Sequence, residues 1–244
     1  FILYLFCFFK PIYQINKKID INRQSTFDNR QSTIDNREML TSLEEKHVKN
    51  IYQEIAPHFS NTRVYTWNWI TDFVTRLPIH SWICDVGCGN GRNMHFSNYN
   101  FIGVDNCRAF LDICESRGLQ TVEANMTSLP FQSDIFDAII CIASFHHLYT
   151  DESKLQTLLE LKRIIKSSGK ILLSVWSKTQ PLKTKRTFTN YGHNFVDWNK
   201  YGKQYTRYYY IFKDDEIKRL FKQAGLYIVE QMHDCGNEIF TLIK

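Results

Sequence analysis

Glycine and proline are scarce, ten and five among 244 residues, which excludes a collagen-like or low-complexity architecture for the chain as a whole. The longest apolar run, Phe1 to Phe9, falls far short of the roughly 20 residues that a spanning helix needs. It is followed at once by Lys10-Pro11, and it lacks the basic start and small-residue cleavage site of a signal peptide. Neither export nor membrane anchoring is expected. Disulfide spacing is missing too: the seven cysteines (7, 84, 88, 107, 114, 141 and 235) are odd in number and irregularly placed. They read as free thiols in a reducing compartment, so a cytoplasmic or nuclear location is expected. Charge of one sign is absent except in one place. Seven cations between 178 and 210 (Lys178, Lys183, Lys185, Arg186, Lys200, Lys203, Arg207) oppose Asp197 alone, giving +6 against +5 for the whole chain, so the remainder carries −1.

What is present suffices for one sizeable core, with 43% hydrophobic and 15% aromatic residues. Two copies of a polar heptapeptide, Asn22 to Asp28 and Asn29 to Asp35, cannot bury a face. Residues 1–38 are therefore expected to be a flexible tail, Met39 the functional start, and 39–244 one domain. Ser42 with Glu45 fits a capping box, opening a helix that Pro57 should stop. A second helix is expected over Val64–Leu77. Strands then alternate with helices: strand 81–86, helix from about 91, strand 101–105, helix 107–117, strand 119–124, strand 136–143, helix 151–167 and strand 170–176. In helix 151–167, Leu155, Leu158, Leu159, Leu161 and Ile165 fall on the apolar side. After the basic segment come helix 213–224, closed by Gly225, and strands 226–231 and 238–243. This alternation predicts an α/β fold with a doubly wound, Rossmann-like, seven-stranded and mostly parallel sheet, ending in an antiparallel hairpin at one edge.

The sharpest chemical signal is Ile83 to Arg92, where an apolar strand runs into Gly87, Gly89 and Gly91. Such glycines let the backbone turn tightly and approach a ligand. Twenty residues beyond Asp85, the strand Phe101 to Asp105 ends on a carboxylate, the place where a nucleotide ribose is gripped. The spacing G-x-G-x-G after an acidic residue differs from the G-x-G-x-x-G of dinucleotide sites. Cys84-x3-Cys88 has no complementary second pair, so no metal is expected.

Asp85-Val-Gly-Cys-Gly-Asn-Gly91 resembles motif I of class I S-adenosylmethionine-dependent methyltransferases of the type 11 kind. Ser128 to Phe131, Phe136-Asp137 and Leu161 to Gly169 resemble later landmarks of that domain. The resemblance implies S-adenosyl-L-methionine as cofactor, held along Asp85, Gly87, Gly89, Asn90 and Gly91 with Asp105 on the ribose. Asn125, where Asp is usual, would read the adenine, with Met126 and Ile142 beside it.

A narrower resemblance covers nearly all of 46–244, to the eukaryotic tRNA wobble-uridine carboxymethyl methyltransferases and the methyltransferase half of an AlkB homologue. It rests on Ile51 to Arg63, Ile142 to Leu148, Val175-Trp176 with Gln180, Phe195 to Trp198, Arg207 to Lys213 and Asp234 to Asn237. The chain departs from that family's pattern at Val64-Tyr-Thr-Trp67, Tyr210, Cys235 and Glu238. The implied reaction methylates the carboxylate of 5-carboxymethyluridine. A carboxylate is already ionised at neutral pH and needs alignment rather than a strong base. Candidate aligners are Arg63, His146, His147 and Asn237; Trp176, Lys183, Lys185, Arg186, Trp198, Arg207 and Tyr209 are candidate contacts to an anticodon loop. Arg63, His146, Trp176 and Asn237 are expected to converge on one cavity beside the Gly-rich loop. The family also implies a small zinc-binding activator protein, paired with the edge strand Leu119 to Ala124. Plainer readings stay open: Arg63 in a surface ion pair, one histidine as packing, Asn237 shaping a turn, Trp176 in the core, and 178–210 as a solvated loop. A small-molecule methyltransferase and a catalytically idle subunit remain alternative functions.

Overall fold

The computed structural model describes residues 43–184 and 187–244. The 1–38 tail, Met39 and the Ser42 cap lie outside the described residues. A π-helical turn, Glu45–Lys49, leads into α1 (Asn50–Asn61). Pro57 does not stop that helix but stands inside it. The proline removes one backbone donor, yet Ile55, Ala56 and Ser60 are buried on either side and carry the helix through. Helix α2 (Asn68–Thr75) is shorter than the expected 64–77, because Trp67 is extended and stacks on Trp69, ring centroids 5.4 Å apart.

Then follow β1 (Trp82–Val86), β2 (Asn100–Asp105), α3 (Arg108–Ser116), β3 (Thr121–Glu123), β4 (Phe136–Ile142), α4 (Asp151–Ile164) and β5 (Ile165–Trp176). The chain continues through β6 (Gly192–Lys200), β7 (Lys203–Ile211), α5 (Asp214–Ala224), β8 (Tyr227–Asp234) and β9 (Asn237–Ile243). Seven strands form one sheet in the order β3-β2-β1-β4-β5-β9-β8. The first five are mutually parallel, and β9 runs antiparallel between β5 and β8. This is the doubly wound, mostly parallel sheet the alternation predicts, with the terminal antiparallel pair at one side. Apolar clusters cover both faces, centred on Val86, Ile139 and Leu173 on one and on Ile83, Ile140 and Leu172 on the other.

Two further local expectations fail. No helix follows the Gly-rich loop: residues 91–99 form turns, Gly91 N–H to Cys88 O and Met94 N–H to Gly91 O, both 3.0 Å, which drop Met94 into the core. Helix α4 ends at Ile164 and passes directly into β5, so Ile165 opens a strand, and Leu159 is 40% exposed rather than packed. The plainer reading of 178–210 as a solvated loop fails from Gly192 onward, where β6 and β7 pair antiparallel through Tyr201 and Gly202, both at positive φ, as a tight hairpin turn requires. Gly225 closes α5 at φ +67°. No helix among the described residues is long and apolar enough to cross a membrane.

Candidate active site

The loop after β1 folds back over β2, with the Gly87 and Cys88 N–H groups both donating to Val104 O at 2.7 and 3.0 Å. A Cβ on Gly87 would lie 2.4 Å from Ser144 Cβ, so this glycine is demanded by close packing. Gly89, at φ +54°, has nothing within 4 Å of a built Cβ and faces open space. Its N–H donates to Asp105 Oδ2 at 2.8 Å, and Cys107 N–H donates to Oδ1 at 2.9 Å, which holds this carboxylate at the end of β2. Burial raises the Asp105 carboxyl above its ordinary range. Asp85 lies fully buried beneath the loop, where loss of water pushes its carboxyl up to about 7, with Asp105 acting the same way and Arg92 and Asn93 opposing. Asn90 ties the loop to the end of α1, its amide donating to Arg63 O at 3.1 Å.

The loop borders a cavity of about 1020 Å³. Its wall includes Gly87, Gly89, Asn90, Asp105, Asn125, Met126 and Ile142, and also Arg63, His146, His147, Trp176, Tyr209 and Asn237. The first group comes from the carboxyl ends of β1 to β4. The second is gathered from α1, the turn after β4, and the ends of β5, β7 and β9, and Trp176 and Asn237 are directly paired across β5 and β9. Asp85 and Gly91 support the loop from below and do not line the cavity. The Asn125 amide oxygen accepts from Thr127 N–H at 3.1 Å, which orients the side chain locally.

The far wall is a hydrogen-bonded aromatic layer. His147 Nδ1 donates to the Tyr208 carbonyl at 2.7 Å, so in the neutral ring Nε2 must accept, and its partner is the Tyr52 hydroxyl at 3.1 Å. Tyr52 then accepts from the Tyr209 hydroxyl at 3.2 Å and from Arg207 at 3.3 Å. Burial, with Arg207 nearby, drives the His147 pKa down to about 3 although the Tyr208 carbonyl pulls it up, so the ring is neutral. His146 Nδ1 accepts from Trp176 N–H at 3.0 Å, which puts its proton on Nε2. Trp176 stacks on Tyr209 with centroids 4.1 Å apart and planes 6° from parallel. Asn237 donates to Asp234 O and Cys235 O at 3.2 and 3.3 Å, while its buried Oδ1 has no hydrogen-bond partner among the described residues.

Sequence reading missed two wall residues, Tyr52 and Arg92, although both stand inside the motifs it singled out. Tyr52 is the hub of the aromatic network. Arg92 lies over the Trp67 ring at 4.2 Å. Other expectations about the basic segment are corrected. Arg207 is 3% exposed, enclosed by Tyr52, Phe59, Trp198 and Tyr209, and does not meet the solvent as a phosphate contact would. Trp198 packs on Phe59 behind the wall, 5.5 Å between centroids. Lys200 and Lys203 reach Glu54 on α1, at 2.7 Å to its carbonyl and 3.0 Å to its carboxylate. Much of the local positive charge therefore fastens the hairpin to α1. Lys185, Arg186 and the Lys183 side chain lie outside the described residues.

The site fits a nucleoside cofactor with an amino-acid end. Open space stands before Gly89, the Asp105 oxygens keep lone pairs beyond their two backbone bonds, and Asn237 Oδ1 remains available. Among the described residues, no three His, Cys, Asp or Glu side chains gather as a metal site would need.

A family model described as a methyltransferase domain matches residues 84–173. The tRNA (carboxymethyluridine(34)-5-O)-methyltransferase alkbh8 of Xenopus tropicalis is 38% identical over 148 residues, 60% of this chain and 24% of that protein. This chain thus spans about a quarter of that relative. The tRNA (carboxymethyluridine(34)-5-O)-methyltransferase of Schizosaccharomyces pombe is 30% identical over 217 residues, covering 80% of this chain and 94% of that protein. Among solved structures, the methyltransferase in complex with the Haloferax volcanii Trm112 methyltransferase activator shares the fold, with a TM-score of 0.59 at 15% identity over 80% of this chain and 96% of that one. With the fission yeast protein matched over nearly its whole length, this chain belongs to the tRNA (carboxymethyluridine(34)-5-O)-methyltransferase family.

Proposed function

We propose that this chain catalyses S-adenosylmethionine-dependent methylation of the carboxylate of 5-carboxymethyluridine at the wobble position of tRNA. The observation that carries this reading is the meeting of Arg63, His146, Trp176, Tyr209 and Asn237 with the Gly-rich loop on one cavity. These residues are far apart in sequence and come from five different elements. When bound, the cofactor supplies an electrophilic methyl group on sulfur. The chain's own task is then positional. Arg63 offers a planar fork for the substrate carboxylate, and among the described residues its guanidinium donates only to the neighbouring Thr62, at 3.1 and 3.2 Å. Trp176, backed by the buried Tyr209 on which it stacks, offers a flat wall for a base, and the neutral His147 keeps Tyr52 and Tyr209 oriented. No side chain needs to take a proton, because the attacking carboxylate is already ionised.

The substrate RNA belongs to the same reading, since an anticodon loop presents unpaired bases to such a wall. So does a small zinc-binding activator protein on the free edge of β3, in a cytoplasmic or nuclear setting. The test is nucleoside mass spectrometry of tRNA carrying 5-carboxymethyluridine, incubated with the chain co-expressed with an activator. Appearance of the methyl ester, lost in Arg63→Ala, is the expected result. Intact 5-carboxymethyluridine alongside methylation of a free small acid would overturn the reading in favour of a small-molecule enzyme.

A further inference from the structure

Two guanidinium groups look into the cavity, and among the described residues neither is paired with a carboxylate. The Arg63 guanidinium donates, among the described residues, only to Thr62. The Arg92 guanidinium donates no hydrogen bond among the described residues and rests on Trp67, 4.2 Å from the ring centroid. Burial lowers the Arg92 pKa to about 10, Arg63 pushes it the same way and Asp85 opposes, so it stays charged at neutral pH. Two half-buried like charges facing one space repel each other unless an anion arrives, and each fork is shaped to take a carboxylate.

Their surroundings differ. Arg63 lies over Phe59 at 4.7 Å and Trp198 at 5.9 Å, and Tyr209 and Tyr52 act on it electrostatically; it therefore belongs to the aromatic wall. Arg92 follows Gly91 directly on the Gly-rich loop, with Asp85 beneath. Trp67, on which it rests, sits in the extended segment before α2 and holds the guanidinium at the loop's side of the cavity. Among the cations on the wall, Lys49, Arg63 and Arg92, the two guanidinium groups thus stand apart, Arg92 on the side of the Gly-rich loop and Arg63 on the side of the aromatic wall.

We propose that Arg92 binds the α-carboxylate of the cofactor's amino-acid end, leaving Arg63 free for the carboxylate of the substrate. This rests on the methyltransferase reading above and deepens it by dividing two carboxylates between two arginines.

Calorimetry with two nucleosides tests it: S-adenosylhomocysteine, which has the amino-acid end, and 5′-methylthioadenosine, which lacks it. The charged bidentate contact predicts that Arg92→Met weakens S-adenosylhomocysteine about 10- to 100-fold. Affinity for 5′-methylthioadenosine should stay within about twofold, which also reports an intact fold. Arg92→Lys, with charge but no fork, should fall between parent and Arg92→Met for the first ligand. Arg63→Met should leave both affinities near the parent's. The assignment is overturned if Arg92→Met weakens both ligands alike or neither, or if Arg63→Met is the variant that loses the amino-acid end. A parent chain that binds neither nucleoside overturns the methyltransferase reading itself, a separate and distinguishable failure.

Discussion

Gly87 and Gly89 stand two residues apart at positive φ, yet a side chain meets different obstacles at each. At Gly87 a methyl group collides with Ser144 Cβ at 2.4 Å, whereas at Gly89 it enters open space. Both substitutions carry about 1 kcal/mol of left-handed backbone strain, and only Gly87→Ala adds a steric clash. Thermal unfolding should therefore show Gly87→Ala clearly less stable than Gly89→Ala, while calorimetry shows Gly89→Ala folded but poor at binding S-adenosylhomocysteine. Two buried titrating groups make opposite demands on pH. Asp85, with its pKa raised to about 7, contributes stability that is complete below about 4 and is lost as pH rises through 7. His147, with its pKa lowered to about 3, contributes stability present above about 6.5 and lost as pH falls toward 3. Asp85→Asn should thus reduce the fall in Tm between pH 5 and pH 8. The His147 ring proton resonances should not titrate between those values; a midpoint near 6.5 by NMR would show the ring to be solvated.

At the scale of elements, the β6–β7 hairpin matters most, because it carries Tyr209 to the cavity wall while Trp198 and Lys203 contact α1. The exposed Lys203–Glu54 pair contributes little in water, so packing must hold the hairpin. Trp198→Ala removes the contacts with Phe59 and the Arg207 guanidinium, the latter 4.8 Å from the ring centroid. Loss of a large, half-buried aromatic should destabilise this unit by about 2 kcal/mol. Hydrogen exchange should accelerate across 192–211 and remain slow in β1, β4 and β5, the local opening of one weakly attached unit. Uniform acceleration through the sheet would instead mean that the hairpin and sheet unfold together.

At the scale of the molecule, the seven-stranded sheet leaves two edges, β3 and β8. The β8 edge exposes Tyr227, Val229 and Met232, at 64, 52 and 39%. An unpaired, partly apolar edge invites association with other chains. Val229→Lys should raise the monomer fraction in size-exclusion chromatography with Tm unchanged, since this side chain lies outside the core. The β3 edge is only three residues long, Thr121–Glu123, so a variant confined to β8 separates edge-driven aggregation from any pairing at β3.

The sequence alone determined the sheet, the Gly-rich loop and the carboxylate at the end of β2, because these depend on local signals: apolar strands, glycine spacing and alternation with helices. Trp176, Tyr209 and Asn237 were identifiable only through resemblance. What brings them together is the insertion of β9 between β5 and β8 and the folding of the hairpin against α1, both long-range pairings that no local pattern encodes. Tertiary structure also decided the fate of the positive charge. A run of Lys and Arg looks the same in sequence whether it faces RNA or its own chain. Burial of Arg207 among four aromatic rings, and capture of Lys200 and Lys203 by Glu54, depend on α1 lying alongside β7. Likewise, Pro57 signals a helix end locally, but packing of Ile55 and Ala56 outweighs the one donor it removes.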